Sequence, residues 1–407
     1  MKRVVVTGMA GISPIGSDWN TIKQNLQQGK TGIQYMEDWE IYTDLTAKLG
    51  APVTDFEKPS HYSRKQTRSM GRVALMATRA TELALEDAGL LNDASIQDGR
   101  MGVSYGSSSG STDAIADFGG MLLNQTSANL TANSYLKMMS HTAAVNIGVF
   151  FGLKGRVIPT SSACTSGSQG VGYAYEAIKY GKQSLMVAGG AEGLCPTQVA
   201  VFDTLYATST RNAEADQTPR PFDEHRDGLV IGEGAGTLIL EEREHALARG
   251  AHIHAELIGF GTNSDGKHVT QPESDTMFKA MSLAIEDAGC DSSQIGYVSA
   301  HGTATDRGDV AESNATHRMF GSAMPISALK SYTGHTLGAC GALEAMVAIR
   351  MMEEGWFHGT ANLEHIDPEC GELNYLRAAG AELSVETVMS NNFAFGGINT
   401  SLIFSRV

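Results

Sequence analysis

The sequence predicts an α/β protein whose strands and helices alternate and stack in layers. Three observations carry this. Short apolar, β-branched runs recur along the chain, each closed by glycine or small polar residues. Stretches rich in alanine, leucine and methionine, with helical periodicity, separate them. Glycine is abundant (46) while proline is scarce (10), so the glycines mark tight turns and close backbone approaches rather than disorder.

In chain order, Arg3 to Gly8 reads as a buried strand and Trp19 to Gln28 as a helix. Residues 64–88 form a long helical stretch. Arg100 to Tyr105 is a strand that runs into Gly106-Ser107-Ser108-Ser109-Gly110-Ser111. Val157 to Thr160 is a strand, followed by a tight bend and a helix from about Gln169 to Tyr180. Ser184 to Ala188 is a strand, and residues 229–241 are a glycine-rich turn and strand. A second series opens at Ile253–Gly259. It continues with a helix Met277–Ala288, a strand Tyr297–Ala300, a helix Ala342–Glu354, and strands Val388–Phe395 and Ser401–Phe404. No linker-like tract separates the halves. One compact unit is expected, with a soft boundary near 245–255 between residues 1–250 and 251–407.

Bulk properties narrow the function. The 407 residues are 42% hydrophobic and 18% charged, enough for a large core. A net charge of -15 argues against a general nucleic-acid binder. The cysteines at 164, 195, 290, 340 and 370 form no CxxC pair and no ligand spacing with histidine, so neither a metal site nor a disulfide framework is expected. A reducing cytoplasm fits this usage. The apolar run after Met1-Lys2-Arg3 is too short for a signal peptide, and no run approaches the roughly 20 residues of a membrane span.

Cys164 stands where Val157–Thr160 bends into a helix, among Ser161, Ser162, Ala163, Thr165 and Ser166. A thiol at a helix N-terminus feels the positive end of the dipole, which favours its thiolate. Small neighbours leave room for a carbonyl. The bland alternative is an inert buried cysteine. Three further segments gather chemistry at element ends, where catalytic groups concentrate. His301 follows a strand, in Ser299-Ala300-His301-Gly302-Thr303-Ala304-Thr305-Asp306. Lys330 and His335 share a small-residue loop before a helix carrying Glu344. Asn391-Asn392-Phe393-Ala394-Phe395-Gly396-Gly397-Ile398-Asn399 ends the last long strand. Singly, each is also consistent with a structural histidine, a solvated lysine or a helix cap.

Together, Cys164, His301, Lys330 and His335 resemble the β-ketoacyl-acyl-carrier-protein synthases (ketosynthases) of the condensing-enzyme family. The likeness runs from Val4-Val5-Val6-Thr7-Gly8, through Arg220-Pro221-Phe222-Asp223 and Gly232-Glu233-Gly234-Ala235-Gly236, to Phe395-Gly396-Gly397-Ile398-Asn399. It implies a thiolase-like five-layer αβαβα fold of two similar halves, acting as a homodimer or as a heterodimer with a ketosynthase-like subunit. The subgroup resembles the elongation synthases of fatty acid synthesis. Gly50–Phe56 and His61–Lys65 resemble still more closely ketosynthases of aryl polyene clusters.

The resemblance implies an acyltransferase that performs a decarboxylative Claisen condensation and adds two carbons. Cys164 carries the acyl group. The N–H groups of Cys164 and Phe395 form the oxyanion hole. His301 and His335 serve the malonyl half-reaction, with Lys330 and its charge partner Glu344 behind them. Thr303, Thr305 and Thr270 match phosphopantetheine contacts, and Ser109, Phe393 and Leu229 match the acyl pocket. No cofactor and no metal are implied, since substrates arrive on an acyl carrier protein. Arg64, Lys65, Arg68 and Arg72 fall within an arc of roughly 100° on a helix, a basic face for an acidic carrier, and Arg211 matches another contact.

Asp306, Leu229 and Leu329 depart from the family pattern, which leaves the substrate open. The run Gly106–Gly110 also satisfies the GxSxG pattern of serine hydrolases, with Ser108 as nucleophile. A degradative thiolase would need a second active cysteine, and Glu369-Cys370-Gly371-Glu372 lacks its glycine setting. A non-catalytic chain-length factor would lack Cys164.

Overall fold

The computed structural model describes residues 1–407. Its main sheet has eleven strands. From the centre to one edge run Val4–Ile12, Gly234–Glu242, Leu185–Glu192, Met101–Gly106 and Val157–Thr160. From the centre to the other run Ala255–Ser264, Ile398–Ser405, Thr387–Ala394, Tyr297–Ser299 and Pro325–Ser327, with the two-residue strand Asn374–Tyr375 added outside. The pairing senses repeat in both series: two antiparallel pairs next to the centre, then two parallel pairs. The series join where Val4 faces Leu257 in an antiparallel pair. The chain is therefore built from two similar halves, as expected.

Helices make the remaining layers. Ser166–Lys179 and Cys340–Glu354 pack against each other and against strands of both series. The second has buried positions all round, including Leu343, Met346, Val347 and Met351, as an internal helix must. Arg72–Asp87 and Thr142–Phe151 cover the outer face of one series, and Ser274–Ala288 the outer face of the other. This is the five-layer thiolase-like arrangement.

The repeat positions the site. Cys164 lies in the turn Ala163–Thr165 between the edge strand Val157–Thr160 and the internal helix Ser166–Lys179. The matching stretch of the second half holds His335 and the turn Leu337–Ala339, between Pro325–Ser327 and the internal helix Cys340–Glu354. Ala163 (φ 50°) and Leu337 (φ 46°) are both left-handed, so each turn carries a strained residue beside the chemistry.

One expectation fails. Residues 64–88 are two helices, Arg64–Thr67 and Arg72–Asp87. Ser63 and Gln66 cap the first reciprocally. The second helix opens at Gly71, whose backbone is extended and where a Cβ would stand 2.2 Å from Ser111 Oγ. No helix is long and apolar enough to cross a membrane.

Candidate active site

Cys164, His301, His335, Lys330 and Glu344 come together, all at most 5% exposed. His335 Nε2 lies 3.0 Å from Cys164 Sγ. Leu337 N–H donates to His335 Nδ1 at 3.2 Å, so the ring hydrogen sits on Nε2 and points at the sulfur. On His301, Nδ1 receives Lys330 Nζ at 3.1 Å and Asn392 Nδ2 at 3.3 Å. Its hydrogen is therefore also on Nε2. The two rings meet edge to face, 5.2 Å between centroids.

Charge follows from burial. Both histidines are held well below the usual imidazole range, first by desolvation and then by the Lys330 charge; both are neutral donors. Burial alone would lower the Lys330 pKa, but the charge and hydrogen bond of Glu344 work against it and the pKa is raised. Lys330 Nζ donates to Glu344 Oε1, and Asn392 Nδ2 donates to Glu344 Oε2 at 2.7 Å. Each charge of this buried pair thus has further polar partners, without which burial would be prohibitive.

The thiolate expectation is corrected. Burial pushes the Cys164 thiol above its ordinary range. The backbone N–H groups of Phe395 and Cys164, and the Lys330 charge, pull it down, while Glu192 adds to the rise. Desolvation outweighs the two amides and the lysine charge.

A cavity of about 580 Å³ opens at these groups. Cys164, His301 and His335 line it, together with Thr303, Thr305, Thr270, Leu229, Phe393 and Phe395. Thr303 and Thr305 hydroxyls bond each other at 2.9 Å. Phe393 packs on His301 and Phe395 on Phe202. Cys164, His301 and His335 each offer a ligand atom within 4.8 Å of the others. The hydrogen bonds at both Nδ1 atoms leave Nε2 protonated, and a protonated nitrogen is no metal ligand.

Several sequence-predicted residues lie elsewhere. Ser109 does not line the cavity: its hydroxyl donates to Glu192 Oε1 at 3.1 Å and accepts from Gln198 Nε2 at 3.1 Å. Ser108 Oγ donates to Glu192 Oε2 at 2.6 Å, with no imidazole partner; the hydrolase reading loses its base. Arg72 turns inward. Its Nε and Nη2 bond the Glu233 carboxylate at 2.8 and 2.6 Å, and Nη2 also bonds Val53 O. Arg211 is held by Glu214, Asp227 and His225 O. Arg64, Lys65 and Arg68 remain exposed and without an acidic partner.

Three buried carboxylates were not found by sequence. Glu312 accepts His301 N–H and Gly302 N–H, each at 2.7 Å, and burial raises its pKa to about 8. Asp309 accepts Phe222 N–H and Ala304 N–H at 2.7 and 3.1 Å, and is raised to about 6 by burial. Glu192 ends the strand Leu185–Glu192 with no exposure. A missed amide, Asn392, joins His301 to Glu344. Only Asn392 had a signal, inside the Asn391–Asn399 motif; the carboxylates sit in ordinary helix and strand sequence.

Known proteins share this architecture. The N-terminal domain of β-ketoacyl synthases matches residues 1–246, and their C-terminal domain matches residues 254–364. A 3-oxoacyl-[acyl-carrier-protein] synthase 2 of Vibrio cholerae serotype O1 is 38% identical over 414 residues, covering 100% of this chain and 99% of that protein. A β-ketoacyl synthase crystal structure from Burkholderia phymatum STM815 is 61% identical, with a TM-score of 0.99 and 100% of both chains covered. A type II PKS ketosynthase, bound to a hexaketide and in complex with its acyl-carrier protein, is 32% identical with a TM-score of 0.87, covering 100% of this chain and 99% of that one. With two halves of one pattern, a cysteine and two histidines at their facing turns, and these likenesses over its whole length, the chain belongs to the β-ketoacyl synthase family.

Proposed function

We propose that this protein is a 3-oxoacyl synthase that condenses malonyl-carrier protein with an acyl group held on Cys164. One observation carries the reading: two neutral imidazoles, their tautomers fixed from behind, bring Nε2–H donors to the cavity that holds the cysteine.

In the first half-reaction Cys164 Sγ bonds the acyl carbonyl carbon and the carbon–sulfur bond to phosphopantetheine breaks. The departing thiol takes the Cys164 proton, so no net charge is created. The Phe395 and Cys164 N–H groups hold the transient oxyanion; removing one such donor typically costs about 3–4 kcal/mol. Malonyl-carrier protein then binds, its arm along Thr303, Thr305 and Thr270. The malonyl carbon–carbon bond breaks, carbon dioxide leaves, and the electron pair becomes an enolate whose oxygen accepts from His301 and His335. The enolate carbon attacks the acyl carbonyl, and Cys164 leaves as a thiolate that takes a proton from water. Asn392 holds Glu344 and His301, Glu344 holds Lys330, and Lys330 holds His301. No residue needs to change charge between turnovers other than the sulfur.

Arg64, Lys65 and Arg68 give an acidic carrier protein a docking face. The edge strand Val157–Thr160 is unpaired on one side, and Val149 (75%), on the helix Thr142–Phe151 that packs on it, is exposed. A second copy of the chain covers this face. The finer reading is extension of an aryl polyene. The likeness at Gly50–Phe56 and His61–Lys65 supports it.

The test is incubation with a panel of saturated and polyenoyl carrier proteins, followed by intact mass and by product analysis after malonyl-carrier protein is added. Acylated Cys164 and a two-carbon-longer product are expected. A Cys164→Ala protein with full condensation activity overturns the reading.

A further inference from the structure

Glu192 has no part in the chemistry above, yet it is one of the most completely bonded side chains in the molecule. Its carboxylate is fully buried and accepts five hydrogen bonds. Oε1 receives Ser107 Oγ at 3.0 Å and Ser109 Oγ at 3.1 Å. Oε2 receives Ser108 N–H at 2.7 Å, Ser108 Oγ at 2.6 Å and Gly338 N–H at 3.1 Å. Every partner is a donor, so the site is built for an acceptor-only group.

Two of these elements come from opposite halves of the fold. Ser107–Ser109 follow the strand Met101–Gly106, while Gly338 belongs to the turn Leu337–Ala339. That turn holds the catalytic geometry, because Leu337 N–H fixes the His335 tautomer. It is pressed against the strand that ends at Glu192: a Cβ at Gly190 would stand 2.0 Å from Gly338 O, and one at Gly338 would stand 2.8 Å from Glu192 Oε2. Leu337 itself is left-handed, so the turn needs an external tether to keep its shape.

We propose that Glu192 is a positioning residue for the malonyl half-reaction, holding His335 against Cys164 through Gly338 and Leu337. Acyl transfer to Cys164 does not depend on this tether. The Cys164 turn has hydrogen bonds of its own, Ser162 N–H on Ser166 Oγ and Ser166 Oγ on Ala163 O, besides the Cys340 Sγ contact to Cys164 O at 3.3 Å. Burial raises the Glu192 pKa, against its five hydrogen bonds, and Glu192 is the weakest influence on the Cys164 thiol, so acylation is expected to survive its substitution. The proposal rests on the ketosynthase reading.

The experiment compares wild type with Glu192→Gln and Glu192→Asp. The first keeps the shape but has one acceptor oxygen; the second keeps the charge but is too short to reach both loops. Thermal melts establish which variants fold. Two rates are measured on each: acylation of Cys164 by an acyl-carrier protein, by intact mass, and release of carbon dioxide from malonyl-carrier protein. A misplacement near 1 Å costs about 10²-fold in rate, so carbon dioxide release is expected to fall by about that factor in Glu192→Gln. It falls at least as far in Glu192→Asp, which cannot span both loops, and acylation is kept in both. A folded variant in which both rates fall equally, or neither falls, overturns the proposal. A wild type that neither acylates nor decarboxylates overturns the ketosynthase reading instead.

Discussion

His335 Nε2 stands 3.0 Å from Cys164 Sγ, and Leu337 N–H on Nδ1 gives the shared hydrogen to the imidazole. The histidine therefore donates toward the sulfur and does not act as its resting base. Removing it takes a donor from the enolate and leaves the amide pair at Phe395 and Cys164 in place. His335→Ala is expected to lower carbon dioxide release by about 10²–10³-fold, the range for one lost donor to a developing oxyanion. Acylated Cys164 should still form at a measurable rate by intact mass. Equal loss in both half-reactions would make His335 a general base for the thiol.

The sulfur itself gives a second expectation. Burial raises the Cys164 thiol above its ordinary range despite the amides and Lys330. Iodoacetamide alkylation of Cys164, followed by mass, should keep rising with pH up to and beyond pH 9. A plateau near neutrality would show that the two amides and the lysine overcome desolvation.

Lys330 and Glu344 form a buried ion pair, 1% and 2% exposed. Removing one partner of such a pair typically costs about 3–5 kcal/mol, because the other charge stays buried. Lys330→Met should therefore lower the denaturant midpoint strongly and abolish condensation. Adding Glu344→Gln should restore much of the stability and none of the activity. Activity lost with stability unchanged in the single variant would contradict the buried pairing.

Legibility in the sequence tracked the distance over which each cause acts. Cys164 was marked by its own neighbours: an edge strand, small residues and a helix. His301 was marked by a strand end, and His335 by a small-residue loop before a helix. Arg72 was misread because its partner, Glu233, is 161 residues away, and no local period records that the guanidinium turns inward. The close packing of Ser111 on Gly71 likewise joins residues distant in sequence. Glu192 was missed because the strand reading stopped at Ala188, while the strand continues to Glu192. Glu312 sits mid-helix, and only the fold shows that its carboxylate caps the His301 loop.

The basic face divides along the same line. Arg68 is exposed without an acidic partner, whereas Arg72 satisfies a carboxylate that is 3% exposed. Arg68→Glu should raise the KM for carrier protein at low salt and leave Tm unchanged, since exposed charges act mainly on association. The effect should shrink as salt is added. Arg72→Ala should lower Tm, because Glu233 is left buried without its cation. A carrier-protein KM unmoved by Arg68→Glu at low salt would remove this docking face.

Glu312 couples the site to pH. Its folded pKa is about 8 against an ordinary 4.5, with burial as the main cause. The folded state thus holds a proton that the unfolded chain has released between these values. The contribution to stability is fully present below about pH 4.5 and is lost as pH rises through about 8. The slope approaches about 1.4 kcal/mol per pH unit where one proton separates the two states. Glu312→Gln lacks this titration but keeps an acceptor for one of the two amides. Other titrating groups are common to both proteins and cancel in the comparison. Urea midpoints at pH 5.5 and 8.5 should therefore show wild type losing stability relative to Glu312→Gln as pH rises. A gap that stays constant would mean that His301 N–H and Gly302 N–H hold the carboxylate ionised throughout, with their hydrogen bonds outweighing burial.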